Sequence, residues 1–172
     1  MAEMNENITP TIAEAGMSEA LKQARIAGSV GEVPIGAVVM HQGKIVGRGY
    51  NLREHAQDAT LHAEIMAISE ANHTLNTWRL EDCQLFVTIE PCPMCSGAII
   101  NARIPEVYFG ARDPKAGTVR SLYQLLEDPR FNHRVIVHEG LMADQASALM
   151  QNFFRAIRRG RGAKKPSSQR TK

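Results

Sequence analysis

The segment QLFVTIEPCPMCSGAIINA, residues 84–102, joins a strand pattern to a helix pattern through a short turn. Gln84–Ile89 is a β-type run, which predicts a strand. Pro93–Ala102 predicts a helix, because proline is well accepted in the first helical turn. Cys92 and Cys95 therefore lie where a strand gives way to a helix, and open α/β sheets bind their ligands at such junctions.

Strand and helix patterns continue towards the N-terminus. Met17–Ala27 carries apolar residues at helical spacing. Ile35–Met40 and Lys44–Tyr50 predict an antiparallel hairpin with Gly43 in its tight turn. Leu61–Ile68 is apolar around its whole circumference, so we expect a buried helix there.

The C-terminal half completes the pattern. Val107–Ala111 and Val135–His138 predict a fourth and a fifth strand. The last helix is expected to begin with Asp144 as its N-cap and to end at Gly160 and Gly162. The sequence therefore predicts an α/β fold, a three-layer α/β/α sandwich with a five-stranded mixed sheet and parallel pairing after the hairpin.

Length and composition indicate one folded domain. The chain has 172 residues, of which 44% are hydrophobic and 22% charged, and this excludes a disulfide-stapled miniprotein or a disordered chain. No apolar run is long enough to span a membrane, and the first residues lack the features of a signal peptide. We therefore expect a cytoplasmic protein without a membrane partner.

Charge is distributed unevenly along the chain. Of the 20 Lys and Arg, eight lie in residues 155–172, which hold no acidic residue, so 12 basic residues face 18 acidic ones in the remainder. We expect a folded domain over residues 1–159 and a basic, disordered tail over residues 160–172. Such a tail either binds a polyanion such as RNA or only increases solubility.

The cysteines indicate a metal site. The three cysteines cannot all pair, and an intracellular chain keeps its thiols reduced. Cys92-x-x-Cys95 fits a zinc half-site or a thioredoxin-like redox pair, and both sulfurs point the same way on a helical turn. His62, at the start of another predicted helix, would bring the ligands to three, which leaves one coordination position open as in catalytic zinc sites.

Glu64 is the candidate proton carrier beside this site. It follows His62 by two residues, so the two side chains converge on one centre only in the first turn of a helix. A carboxylate there can take a proton from a water activated by zinc and pass it to a leaving nitrogen. The predicted chemistry is hydrolytic.

Three other positions carry weaker signals. Asn51, at the end of a strand, and Asp113, before a proline, are both typical of turns. Phe154 lies off the apolar stripe of the last helix and is followed at helical spacing by Arg158 and Arg161. It can stack on a splayed base or pack on a neighbouring subunit or helix.

The motifs His62-Ala63-Glu64 and Pro91-Cys92-x-x-Cys95 resemble those of the zinc-dependent nucleobase deaminases, the cytidine and deoxycytidylate deaminase superfamily. Longer segments resemble the bacterial tRNA-specific adenosine deaminases within it. These segments, which extend the resemblance from about residue 17 to 159, are Gly31–Ala37, Tyr50-Asn51, Asp58–Ile65, Thr88–Cys95, Gly110–Lys115 and Phe153–Arg155.

The resemblance implies a cytidine deaminase-like fold and hydrolysis of adenosine to inosine at the first anticodon position of tRNA, expected in an arginine tRNA with the anticodon ACG. It implies one zinc ion per subunit on His62, Cys92 and Cys95, with Glu64 as the proton shuttle. It further implies a homodimer that binds the tRNA anticodon stem-loop and uses no organic cofactor.

The resemblance also assigns substrate contacts. Asn51 would hydrogen-bond the extruded base, and Asp113 would lie beside the substrate nucleotide. Phe154 and Arg155 would lie near the RNA backbone or the flanking bases. Leu61 departs from the family pattern, in which we expect a smaller residue, and it can alter the packing beneath the metal.

Two other functions remain open at the level of sequence. A deaminase of a free base or nucleotide, such as guanine, cytosine or dCMP, would share the metal motif, although the basic tail and Phe154 argue against it. A non-catalytic zinc module that binds RNA would leave Glu64 without a role and would need Cys83 or His55 as a fourth ligand.

Overall fold

One mixed sheet of five strands organises the computed structural model, which describes residues 8–162. The strands are β1 (Gly36–His41), β2 (Lys44–Tyr50), β3 (Cys83–Ile89), β4 (Glu106–Ala111) and β5 (Ile136–Glu139). Their order in the sheet is β2-β1-β3-β4-β5, so the four-residue strand β5 forms one edge. No helix among the described residues is long and apolar enough to cross a membrane.

Helices cover both faces of this sheet. They are α1 (Ile8–Ser29), α2 (Arg53–Ala56), α3 (Ala63–Leu75), α4 (Pro93–Asn101) and α5 (Ala143–Gly162), with a 3₁₀ turn at Leu125–Glu127. Helices α1 and α5 pack on one face and α3 and α4 on the other, each over its own apolar core. The predicted three-layer α/β/α sandwich is therefore confirmed.

Strand residues alternate between the two cores. On β1, Val39 faces the core under α3 and α4, whereas Val38 faces the core under α1. On β3, Leu85 and Phe86 divide in the same way. Because successive side chains of a strand point to opposite faces and both faces are covered by helices, these strands are apolar at consecutive positions.

The hairpin turn agrees with the sequence prediction. Gln42 and Gly43 both have positive φ, 50° and 73°, which is the geometry of the two-residue turn that best fits the twist of paired strands. Strand β1 pairs antiparallel with β2 and also with β3, whereas β3–β4 and β4–β5 are parallel. Parallel pairing thus begins with β3 and β4, and the pair that joins the hairpin to the rest of the sheet, β1 and β3, is antiparallel.

A close contact fixes α3 on the sheet. A Cβ atom at Gly49 of β2 would overlap the carbonyl oxygen of Ala63, the first residue of α3. Only glycine allows the two backbones to approach so closely. The start of α3, and with it the preceding residue His62, is therefore held against β2.

The structure adds one short helix and corrects two local predictions. The added helix, Arg53–Ala56, lies in a polar, aperiodic segment for which the sequence predicts no helix or strand. Helix α5 begins at Ala143, so Asp144 lies in its first turn rather than at its N-cap. The helix also continues through Gly160 as far as Gly162, where the described residues end, and the rest of the expected basic tail, residues 163–172, lies outside them.

Candidate active site

Two helix starts bring the candidate metal ligands together. His62 directly precedes α3 and Cys92 directly precedes α4, both with extended backbone, and Cys95 lies in the first turn of α4. The Nδ1 atom of His62 lies 3.5 Å from the Cys92 Sγ atom and 3.6 Å from the Cys95 Sγ atom. The three donor atoms all lie within 4.8 Å of one another.

This geometry fits zinc. A nitrogen about 2.1 Å and a sulfur about 2.3 Å from one zinc ion lie about 3.6 Å apart at the tetrahedral angle. The observed separations between nitrogen and sulfur agree with this value. Two sulfurs and one imidazole are also donors that zinc prefers. The group can therefore hold a metal ion.

The site favours an anionic sulfur. Hydrogen bonding with Cys95 lowers the pKa of Cys92 to about 4; burial opposes this change and the hydrogen bond with His62 adds to it. The same hydrogen bond, together with burial, raises the pKa of Cys95. Hydrogen bonding with Cys92 raises the pKa of His62. The site therefore favours the thiolate form of Cys92, which is the form in which cysteine binds a metal.

Glu64 lies beside this group, in the first turn of α3, and its side chain is buried with only 4% exposed. Burial, which disfavours the charged form, raises the pKa of Glu64 to about 7, and the negative charge on Cys92 acts in the same direction. Near neutral pH the carboxyl group can therefore both accept and donate a proton.

These residues face a cavity of about 580 Å³. His62, Glu64 and Cys92 line it, while Cys95 is fully buried beneath them. We call these four residues the cavity floor. The volume lies in the range of sites that enclose a small organic ligand.

Asn51 lines the same cavity from the end of β2. Its side chain is buried, and its Oδ1 atom has no hydrogen-bond partner within the described residues. A buried polar atom without a partner is costly, and one that faces a cavity is available to a ligand. Asn51 thus differs from a turn residue that satisfies its own backbone.

Asp113 lines the cavity but also shapes its own turn. Its Oδ1 atom accepts hydrogen bonds from the backbone N–H groups of Lys115 (3.0 Å) and Ala116 (3.2 Å). The turn suggested by the Asp-Pro sequence is therefore present. The same turn places Asp113 and Lys115 on the cavity wall.

The structure separates the two residues expected from α5. Phe154 lines the cavity, is 42% exposed, and contacts Phe153 edge to face at 5.3 Å between ring centres. Arg155 is exposed and lies outside the cavity lining, where its Nη1 atom is 3.5 Å from the Asn152 Oδ1 atom. We call Asp113, Phe154 and Arg155 the cavity rim.

Sequence reasoning missed Glu90, which lines the cavity and is only 3% exposed. Its sequence signal is an acidic residue directly after a fully buried strand, since a buried carboxylate requires several donors. Arg53 and Lys115, which also line the cavity, were likewise not singled out. Nothing in their local sequence marks them, because the cavity forms only in the folded chain.

The residues considered as a fourth ligand lie elsewhere. Cys83 is buried in the core under α3 and α4, and burial raises its pKa to about 11. His55 contacts Glu32, with 2.9 Å between its Nδ1 atom and the Oε1 atom. In the described part of the chain, the group that can hold a metal has three members. This composition argues against a closed structural zinc module.

An α/β/α sandwich with a three-ligand His/Cys/Cys group, a buried glutamate and a cavity above them has the features of the zinc-dependent nucleobase deaminases. A family model described as MafB19-like deaminase matches residues 13–158. A tRNA-specific adenosine deaminase of Streptococcus pyogenes serotype M1 is 54% identical over 149 residues, which cover 87% of this chain and 85% of that protein. The chain belongs to the family of tRNA-specific adenosine deaminases.

Other relatives agree with this membership. The tRNA-specific adenosine deaminase of Bacillus subtilis strain 168 is 46% identical over 147 residues, 86% of this chain and 91% of that protein. A structure from a study of A-to-I editing by tRNA:A34 deaminases at the wobble position is 41% identical, with a TM-score of 0.76, and covers 78% of this chain and 98% of that one. A guanine deaminase from Nitrosomonas europaea is similar at 26% identity, with a TM-score of 0.72, over 81% of this chain and 83% of that one.

Proposed function

We propose that this protein hydrolyses adenosine to inosine at the wobble position, the first anticodon position, of a tRNA. The observation that carries the proposal is the cavity floor, where a three-ligand metal group lies beside a buried glutamate in a chain 54% identical to a tRNA-specific adenosine deaminase. We further propose an arginine tRNA with the anticodon ACG as the substrate.

The metal in this proposal is zinc, one ion per subunit, held by His62 Nδ1 and the sulfurs of Cys92 and Cys95. Bound zinc supplies Lewis acidity that makes a water molecule acidic enough to act as a nucleophile near neutral pH. The low pKa of Cys92 keeps one anionic ligand ready for the ion. Cys95 would hold the ion from beneath the cavity, and its burial keeps this ligand out of the substrate space.

Glu64 moves the protons. Its carboxylate accepts a proton from the attacking water and delivers it to the amino nitrogen of the base. The C6–O bond forms, the C6–N6 bond breaks, and the nitrogen leaves as ammonia. Burial of Glu64 on the cavity floor beside the metal group places its carboxyl group where it can serve both halves of this transfer.

The other cavity residues bind and orient the nucleotide. The free Oδ1 atom of Asn51 accepts a hydrogen bond from the extruded base, and Asp113 lies beside the nucleotide. Phe154 stacks on a flanking base at the cavity mouth, where its ring is exposed. Arg155, outside the cavity, contacts the RNA backbone and not the target base.

We also propose a cytoplasmic homodimer. Support for a dimer comes from large apolar side chains that are exposed on the subunit, among them Leu122 and Tyr123. The division into a deaminase domain over residues 1–159 and a basic segment over residues 160–172 belongs to the same proposal. The basic segment supplies charge that favours RNA.

Deamination of a free base is the second candidate, favoured by the similarity to the guanine deaminase from Nitrosomonas europaea. The cavity floor alone would serve such a reaction equally well. The 54% identity to a tRNA-specific adenosine deaminase and the exposed aromatic ring of Phe154 at the cavity favour a polynucleotide. The two candidate functions therefore share the cavity floor and are distinguished by residues outside it, such as Phe154.

The test is incubation of the purified, zinc-loaded protein with an arginine tRNA anticodon stem-loop, with free adenosine and with free guanine, followed by nucleoside analysis. We expect inosine in the stem-loop at position 34 and a far lower kcat/KM for both free substrates. Remote binding energy that orients the base explains this difference. A comparable kcat/KM for a free base or nucleoside would contradict the proposal and favour the second candidate.

A further inference from the structure

The segment after β4, residues 112–121, forms one wall of the cavity, and we call it the cavity loop. It consists of turns, and its residues 112–116 line the cavity. A wall built from turns depends on contacts with other elements for its position, since it has no helix or strand ladder of its own.

One buried carboxylate holds this loop. The Oε1 atom of Glu90 accepts hydrogen bonds from the backbone N–H groups of Val119 (3.1 Å), Arg120 (2.6 Å) and Ser121 (2.8 Å). Its Oε2 atom accepts from the Asp113 N–H group (2.9 Å) and the Ser121 hydroxyl (2.5 Å). Both ends of the cavity loop are therefore tied to a single side chain.

Packing adds to this constraint. A Cβ atom at Gly117 would overlap the Glu90 carboxylate, so glycine is required where the loop passes this side chain. The Gly117 N–H group donates to the Asp113 carbonyl oxygen at 2.8 Å. The middle of the cavity loop therefore packs directly against the Glu90 carboxylate, in addition to the hydrogen bonds at its two ends.

The same loop is hydrogen-bonded to the segment that carries the two cysteine ligands, residues 91–96. The N–H group of Thr118 donates to the Pro91 carbonyl oxygen at 2.9 Å, and the hydroxyls of Thr118 and Ser96 lie 2.9 Å apart. Pro91 directly precedes the ligand Cys92, and Ser96 directly follows the ligand Cys95. The position of the loop relative to the floor is therefore set through Glu90 and its neighbours.

We propose that Glu90 is a positioning residue that fixes the cavity wall carrying Asp113 and Lys115 at the distance from the metal ligands that orients the target nucleotide for reaction. This inference rests on the proposed function. All five groups that Glu90 meets are donors, so the site requires a side chain with two accepting oxygens. Glutamine would direct an NH₂ group at N–H groups and displace the loop, whereas the metal ligands would keep their positions at the starts of α3 and α4.

The experiment compares Glu90→Gln with the wild type and with Glu81→Gln, the same chemical change at an exposed ion pair with Arg79. Metal content and the thermal unfolding midpoint are measured for each protein. The kcat and KM for the anticodon stem-loop are then measured at a temperature well below that midpoint. We expect Glu90→Gln to keep one metal per subunit while its kcat falls about 10- to 100-fold and its KM changes little, since a misplacement of about 1 Å costs orientation.

Different results would contradict the positioning role of Glu90 and the proposed function. A Glu90→Gln protein whose kcat per metal-loaded subunit stays within threefold of the wild type, even if it melts earlier, overturns the positioning role and leaves the proposed function intact. A wild-type protein that forms no inosine in the stem-loop overturns the proposed function itself, and the positioning role with it.

Gly117→Ala provides an independent variant should Glu90→Gln fold poorly. It keeps the carboxylate but pushes a methyl group against it. We expect the same loss of kcat with metal retained. Wild-type kcat in Gly117→Ala would overturn the proposal.

Discussion

The floor and the rim of the cavity are held in different ways. His62, Cys92 and Cys95 are attached to helix starts that pack on the sheet, and Glu64 is buried beside them. Phe154 and Arg155 lie on the C-terminal half of α5, where the helix is exposed, although Ala146 in its first half is buried. Under the proposed function, the difference places the reaction chemistry in the packed part of the molecule and substrate choice in its exposed part.

This contrast has an energetic consequence. A change in a buried, tightly packed group removes several interactions at once, whereas a change at an exposed position removes one contact at a time. We therefore expect all-or-none effects for floor residues and graded, substrate-dependent effects for rim residues.

Removal of a metal ligand from the floor has the largest expected effect. In Cys92→Ser the anionic sulfur is lost, so metal content per subunit should fall close to zero and inosine formation should become undetectable. Metal analysis and the stem-loop assay measure both. The matched control is Cys83→Ala, a buried cysteine outside the metal group, which should keep its metal and its kcat within threefold. Full metal occupancy in Cys92→Ser would show that the group is not the metal site.

Removal of the proton carrier should separate chemistry from metal binding. Glu64→Gln should keep one metal per subunit and an unchanged thermal midpoint, while kcat falls by about 10²- to 10⁴-fold. Single-turnover assays on the stem-loop measure the chemical step. Glu70→Gln, on the exposed side of the same helix, should behave as wild type. Turnover of Glu64→Gln within tenfold of the wild type would refute the proton-transfer role.

At the rim, Phe154→Ala should weaken binding of the stem-loop by about 5- to 150-fold, because stacking on one base contributes about 1–3 kcal/mol. Activity on free adenosine, already low, should not change. Fluorescence anisotropy gives the affinity, and sedimentation in the same buffer shows whether the proposed dimer forms and stays intact. Ile157→Ala, an exposed apolar residue three positions along α5, is the control. Dissociation of the dimer without a loss of intrinsic RNA affinity would assign Phe154 to the subunit interface instead.

The smallest expected effect is that of the basic segment. Deletion of residues 160–172 removes Arg161, Lys164, Lys165, Arg170 and Lys172. Each lost phosphate contact should reduce the slope of log affinity against log salt by roughly 0.7 to 0.9, while kcat on a minimal stem-loop persists. Titrations at several salt concentrations measure the slope. An unchanged slope would mean that the segment only aids solubility.

The sequence predicted most of what depends on local pattern. The hairpin and the start of α4 follow from the period-two runs and from the Pro-Cys-Pro turn. The closeness of His62 to the two cysteines, by contrast, was expected only from the combination of motifs, since it joins segments thirty residues apart along the chain. Family resemblance supplied the substrate and the roles of the rim residues, because the local sequence marks Asp113 only as a turn residue and Phe154 only as an aromatic off the apolar stripe.

The features that the sequence did not predict depend on long-range contacts. Helix α2 forms in a polar segment because the buried Glu32 carboxylate accepts hydrogen bonds from the His55 N–H group at 2.6 Å and from its Nδ1 atom at 2.9 Å. Glu90 organises residues that follow it by more than twenty positions. Neither partner set can be identified from periodicity, which reports only on neighbours along the chain.

The edge strand β5 affects how copies of the protein meet in solution. Its outer side presents backbone groups that another strand can pair with, and Ile136 on it is 64% exposed. With only four residues the strand offers few such bonds, and Glu139 at its end carries a charge paired with Arg112. Short, charged edges of this kind resist strand-to-strand aggregation. The sheet is thus protected from open-ended self-association at its β5 edge.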